Sequence, residues 1–225
     1  EIYTRSDTLS LHDALPIYIV MPVLLFLMLQ CESFHTIFST PESMSKRLKN
    51  CISGRIPKVD AVRDLLSRIN PDEIRSIHEE MIDIIKRNRV FREGTIGGYV
   101  VAGLDGVELF SSTKKSCPNC LSRKKHTGET EYFYRSVVCM IIGKSPHVIL
   151  GQEMLKPRDG SGKDEGELTG GKRLIEQLKK RHGHFADVIV ADVLYLNAPF
   201  INILKENGLE GVIRLKDERR MIFQD

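Results

Sequence analysis

The chain has no segment long enough to cross a bilayer as a helix. Its most apolar run, IYIVMPVLLFLML at 17–29, falls short of the roughly 20 residues a spanning helix needs, and Pro22 interrupts it. No small-residue cleavage site follows in QCESF, so a buried helix is expected there rather than a membrane span or a signal peptide. Cysteine is scarce. The five, at 31, 51, 117, 120 and 139, are an odd number without regular spacing, which excludes a disulfide framework and favours reduced thiols in a cytoplasm. Charge of one sign is also lacking: 33 basic against 30 acidic residues leave a formal +3, which permits a nucleic-acid partner without requiring one. No internal repeat and no long low-complexity tract is present.

What remains is the composition of an ordinary globular protein, 41% hydrophobic and 28% charged over 225 residues, enough for one sizeable domain and a small additional piece. Residues 1–17, EIYTRSDTLSLHDALPI, contain no initiator Met and resemble a translated sequencing adapter. They are set aside as non-native. Residues 18–95 form an expected helical N-terminal region. Val59, Val62, Leu65, Leu66 and Ile69 recur at helical spacing. Asn70-Pro71-Asp72-Glu73 then supplies a cap, a Pro at the first helical position and acids in the first turn. The second helix carries Ile74, Ile77, Met81 and Ile85 on one side, followed by Lys86, Arg87, Arg89 and Arg92. Such a block suits DNA binding and suits core packing equally well.

From residue 96 to 225 the texture is α/β. Strands are expected at 99–110, 133–143 and 147–155, with Lys144-Ser145-Pro146 as a tight turn before the third. A helix follows from about Glu165 to Arg181, with Asp164 and Glu167 in a capping-box arrangement and Gly183 ending it. Next come the strand in DVIVADVLY, a short helix APFINILKENG closed by Gly208, and a strand at 210–216. This order predicts a mixed five-stranded sheet, a three-strand meander followed by helix-strand-helix-strand, with helices on its faces. The segment SSTKKSCPNCLSRKKHTGET is expected to be a polar loop.

Two acids interrupt apolar strands: Asp105 within VVAGLDGVEL and Asp192 at the end of VIVAD. Singly, Asp105 suits an Asp-Gly hairpin turn and Asp192 a helix cap. If the first strand lies beside the fourth, the two carboxylates face each other, a hard-oxygen pair suited to Mg²⁺ and to phosphodiester chemistry with paired metals. CPNC (117–120) has zinc-ligand spacing but no second pair, and His126 is the one imidazole nearby, so a loop with two thiols is expected. GELTGGKR (166–173) mimics a phosphate-binding loop. Arg173 replaces the required hydroxyl, and neighbouring acids would repel a triphosphate, so the segment is expected to be the first turns of an amphipathic helix and no nucleotide cofactor is expected. His182 and His184, without an evident carboxylate partner, suit a solvated helix end. Lys114, Lys115, Lys124 and Lys125, with Arg123, form a basic loop that suits a solvated charge run and equally a path for a phosphate backbone.

GLDGVELFSS, RSVVCMIIG, HVILGQEM, DEGELTGGKRLI, DVIVADVLYLNAPF and GVIRLKDERR together resemble bacterial insertion-sequence DDE transposases of the insertion-sequence-4 type. The resemblance runs from about residue 58 to the end and is most specific over 99–220. It implies a ribonuclease H-like core over 96–225 and a two-metal Mg²⁺ (or Mn²⁺) site built by an Asp-Asp-Glu triad. The activity it implies is DNA transposition by phosphodiester hydrolysis and strand transfer. Asp105 and Asp192 match the family's two aspartates. Its glutamate lies on a helix well beyond the fifth strand, and no residue here matches it; Asp217 and Glu218 come too early. An inactive truncated fragment of such an enzyme is therefore expected. The resemblance further implies DNA partners (element ends and target), a homodimeric parent and a bacterial cytoplasmic, nucleoid-associated setting without membrane attachment. The alternatives are a nuclease of the same fold that cuts without joining and a catalytically dead DNA-binding remnant.

Overall fold

The computed structural model describes residues 23–24, 58–158 and 163–215. The adapter-like segment, most of the apolar run, Cys31, Cys51, Asp217 and Glu218 lie outside the described residues. The chain divides into two compact units, residues 1–77 and 78–225. In the first, helix α1 (Val59–Arg68) carries the exposed ion pairs Asp60–Arg63 and Asp64–Arg68. Helix α2 (Pro71–Arg87) begins in the first unit and belongs to the second from His78 onward; it starts as its sequence dictates, with the Asn70 side chain accepting from the Asp72 amide at 3.0 Å and Pro71 in first position. Among the described residues no helix is long and apolar enough to cross a membrane.

The second unit is mixed α/β. Strands β1 (Val101–Ser112), β2 (Leu121–Lys124), β3 (Thr130–Ile141), β4 (Ile149–Met154), β5 (Val188–Ala191) and β6 (Glu210–Ile213) form one sheet in the order β2-β3-β1-β5-β6, with β4 also on β3. β1 runs antiparallel to β3 and parallel to β5; β5 is parallel to β6. The first expected strand thus does lie beside the fourth. The count is six rather than five, because the polar loop contains β2. Its pattern, LSRK, offers one apolar residue, but Leu121 is buried opposite Phe133 and the Arg123 guanidinium lies 4.6 Å from the Phe133 ring. Stacking on an aromatic face lets a basic side chain do what an apolar one does elsewhere in the sheet.

The crossover helices α3 (Glu167–His182) and α4 (Ala198–Glu206) share one face of the sheet. Leu104, Ala191, Val137, Cys139 and Ile189 are buried on that face with Leu174, Ile175, Leu178, Phe200 and Leu204 of the helices. Val138, Met140, Val188 and Val190, alternating to the other face, are only half-buried, so helices on both faces are not what the described residues show. Gly170 and Gly171 bring α3 close to the sheet. A Cβ at Gly170 would stand 2.5 Å from Leu155, and one at Gly171 would stand 2.8 Å from the Tyr195 ring. Close approach is the return for the helix propensity a glycine pair gives up.

Two expectations about the helices need correction. The N-cap of α3 is Gly166 without a side-chain cap; Asp164 instead accepts from the Ser122 amide at 2.7 Å. On α2, Met81 is exposed, whereas Ile82 is buried in the core and His78 reaches the Ile149 carbonyl at 2.8 Å. Within the second unit, α2 turns Ile82 to the core and sets Asp83 and Lys86 against His182 at the end of α3. Gly183 (φ 66°) and Gly208 (φ 69°) close α3 and α4 as expected.

Candidate functional site

Asp105 sits within β1, paired with Val138 of β3, which removes the hairpin-turn alternative. Its side chain bends along the strand and its Oδ1 accepts from the Gly106 amide at 2.8 Å. β5 ends at Ala191, the register partner of Leu104. Asp105 and Asp192 are therefore the next residues on two neighbouring parallel strands, which lie about 4.8 Å apart where they pair. Asp192 also caps: its Oδ1 accepts from the Leu194 amide at 2.9 Å and starts the 3₁₀ turn Val193–Tyr195. One oxygen of the carboxylate is thus fixed by the chain itself.

Past Ala191 the edge of β1 that faced β5 is open, and two further groups close on it. Tyr195, delivered by the 3₁₀ turn, is fully buried against Phe200 (ring centroids 4.9 Å apart). Its hydroxyl has no hydrogen-bond partner among the described residues. Burial pushes the phenol above its ordinary range, and the negative charges of Glu167, Asp105 and Asp192 push it further. Glu167, in the first turn of α3, lies over Gly106: a Cβ there would come 2.3 Å from the carboxylate carbon. The Glu167 carboxylate is engaged by Arg135 of β3 at 2.8 Å, and Arg135 also reaches Glu108 at 3.4 Å.

Sequence reasoning placed Glu167 at a helix cap and gave Tyr195 no role. The signal that could have found them is the pairing of small with large residues: Gly106 under Glu167, Gly171 under Tyr195. All donors here are oxygens, which is the ligand chemistry of Mg²⁺ or Mn²⁺. The register brings two of them, Asp105 and Asp192, side by side, and a divalent ion there would take its remaining ligands from water or substrate. Among the described residues no three acid, histidine or cysteine side chains already stand at metal-holding spacing.

The basic candidates separate from the acids. Between Asp105 and Ser112 lie about 23 Å of strand at roughly 3.3 Å per residue. Lys114 and Lys115 follow, their amides donating to Ser112 Oγ, and Lys124 is exposed on β2. Lys125 is paired with Glu131 at 2.9 Å, and Arg123 binds Glu131 at 2.7 Å and Glu108 at 2.9 Å. Of the four lysines, Lys125 is therefore already neutralised within the sheet.

The CPNC thiols are free, with Cys117 Sγ 3.0 Å from Cys120 Sγ and 2.6 Å from the Tyr134 hydroxyl. GELTGGKR is helical, and Arg173 binds Glu153 at 2.7 Å and also Glu165. His182 is buried and pairs with Asp83 at 3.2 Å, and His184 pairs with Asp187 at 2.9 Å. The solvated helix end expected for the two histidines is corrected at His182, which is buried, whereas His184 is exposed as expected although it has a carboxylate partner. No family model matches the chain, and no curated protein or solved structure matches it.

Proposed function

We propose that residues 96–225 are the ribonuclease H-like catalytic core of a DNA transposase of the DDE type. In this reading Asp105 and Asp192 hold Mg²⁺ or Mn²⁺, and DNA is the substrate. The observation that carries the reading is the register: two carboxylates occupy the next positions after the Leu104–Ala191 rung of parallel strands, at the open edge of β1. The sheet order supports it as well, three antiparallel strands (β4, β3, β1) continued by two parallel ones (β5, β6).

The chemistry a bound divalent ion supplies is stabilisation of the attacking and leaving oxygens of a phosphodiester. The chain's own part is to hold the two aspartates. The Gly106 and Leu194 amides each fix one carboxylate oxygen and leave the other for a ligand. Lys114, Lys115 and Lys124 supply charge along the arm beyond the acids, where a duplex backbone could lie.

A second reading, a DNA-binding remnant without catalysis, is favoured by the distance between those lysines and the acids. Because an inactive fragment is expected, the test is Mn²⁺ binding to this chain, run beside a gel shift. Mn²⁺ binding lost in both Asp105→Asn and Asp192→Asn supports the transposase core. A gel shift without Mn²⁺ binding supports the remnant. Mn²⁺ binding that persists in both variants contradicts the site.

A further inference from the structure

Cys117-Pro118-Asn119-Cys120 folds as a single turn between β1 and β2, closed by the Cys120 amide donating to the Cys117 carbonyl at 3.2 Å. Pro118 suits the second position of such a turn, because its ring presets the backbone angle needed there. A β-turn keeps its first and last Cα within about 7 Å. A disulfide spans a Cα separation of about 4.4–6.8 Å. The turn thus holds two thiols where they can bond, and Cys117 Sγ lies 3.0 Å from Cys120 Sγ.

The two sulfurs are not equivalent. Cys117 is half-buried, whereas Cys120 is buried next to Leu121, which anchors β2 opposite Phe133. Tyr134 of β3 places its hydroxyl 2.6 Å from Cys117 Sγ. Hydrogen bonds from Cys120 and then Tyr134 lower the Cys117 pKa, and the phenol is held above its ordinary range because it keeps the proton it donates to Cys117. An accessible thiolate beside a shielded thiol is the arrangement of an attacking and a resolving cysteine. A zinc ion would need two further ligands. His126 stands beyond the far end of β2, a strand of about 13 Å, and no third acid, histidine or cysteine joins the pair among the described residues.

We propose that Cys117 and Cys120 are a reversible dithiol–disulfide couple, oxidised by low-molecular-weight disulfides and reduced by dithiols. Cys117 Sγ, as thiolate, attacks one sulfur of the small disulfide, whose S–S bond breaks and whose other half leaves as a thiolate. Cys120 then gives up its proton and its sulfur attacks Cys117 Sγ; the mixed disulfide breaks and the second half leaves. The protein loses two electrons and two protons, and the small disulfide is reduced to two thiols. Closing so short a loop removes little chain entropy, so the bond is weak as a structural staple and suited to exchange. Tyr134 is a positioning residue that acts through Cys117.

The full 225-residue chain is incubated with oxidised glutathione at neutral pH and mapped by peptide mass. The wild-type peptide holding both cysteines is expected to lose two hydrogen atoms and to regain them with dithiothreitol. Cys120→Ser should stop at a glutathione adduct on Cys117, and Cys117→Ser should leave the buried Cys120 unmodified. Tyr134→Phe should shift the pH midpoint of Cys117 alkylation by iodoacetamide upward, a change that a packing role for the ring would not make. A wild-type chain in which Cys117 keeps its glutathione adduct, in which both thiols stay reduced, or in which either pairs with another cysteine overturns the couple. An unshifted midpoint in Tyr134→Phe overturns the tyrosine's part. The wild-type map decides by itself, even if a variant does not fold.

Discussion

Gly171 looks replaceable in the sequence, a helix residue beside another glycine. In the structure a Cβ there would meet the Tyr195 ring at 2.8 Å and Leu104 at 3.4 Å. A buried ring cannot swing aside as a flexible side-chain end can. Overpacking costs about 1–3 kcal/mol, against about 1 kcal/mol that alanine gains in a helix. Gly171→Ala should therefore lower the midpoint of urea unfolding, and an unchanged midpoint would contradict this packing. The thiols separate in the same way. Hydrogen bonds from Cys120 and Tyr134 lower the Cys117 pKa, while burial pushes Cys139 up to about 12. Iodoacetamide should alkylate Cys117 first and reach Cys139 only on unfolding; equal native rates, resolved by peptide mass, would contradict this packing. At this scale Asp105 and Asp192 were legible because a charge within an apolar strand is conspicuous. Glu167 and Tyr195 were not, because the reason for each is a glycine elsewhere in the chain.

The elements were legible where burial is periodic. β1, β3, α3 and α4 fall within a few residues of their expected bounds, and the meander followed by two crossovers came from their order. β2 was hidden because its contribution to packing comes from Arg123 on Phe133, a basic residue doing an apolar task. It carries a consequence for the arm formed by β1, β2 and β3. Arg123 and Lys125 are bound to Glu108 and Glu131, leaving Lys114, Lys115 and Lys124 as the cations that would meet DNA if the proposed reading holds. Replacing those three by Ala should flatten the salt dependence of duplex binding by about 0.9 log unit per lost phosphate contact. Lys125→Ala should change the slope less. A triple variant with the wild-type slope would show that the arm does not track phosphates.

For the whole molecule, acid response follows from buried groups of the second unit, His182 first and then the carboxylates Glu165 and Glu131, which Arg173 and the Lys125–Arg123 pair respectively hold below the ordinary range. Burial lowers the His182 pKa below its ordinary 6.5, with Lys86 and Arg181 adding to this and Asp83 opposing it. The unfolded chain therefore takes up that proton first. Stability is full above about pH 6.5 and is lost as pH falls from there through the folded value. Burial would raise Glu165, but Arg173 and the Lys156 amide outweigh it, and its carboxyl lies below 4.5. That contribution is present above about pH 4.5 and lost as pH falls through the lower folded value. Urea midpoints should thus decline in two steps, and His182→Asn should remove the first; an unchanged upper step would contradict the assignment. The central claim, that Asp105 and Asp192 hold a divalent ion, is tested most directly by terbium luminescence. The chain has six Tyr and no Trp, so excitation at the tyrosine band reaches Tb³⁺ only through a nearby phenol such as Tyr195. Sensitised emission is expected in the wild-type chain, displaced by Mn²⁺ and lost in the Asp105→Asn, Asp192→Asn double variant. Emission of wild-type strength in that double variant would contradict it.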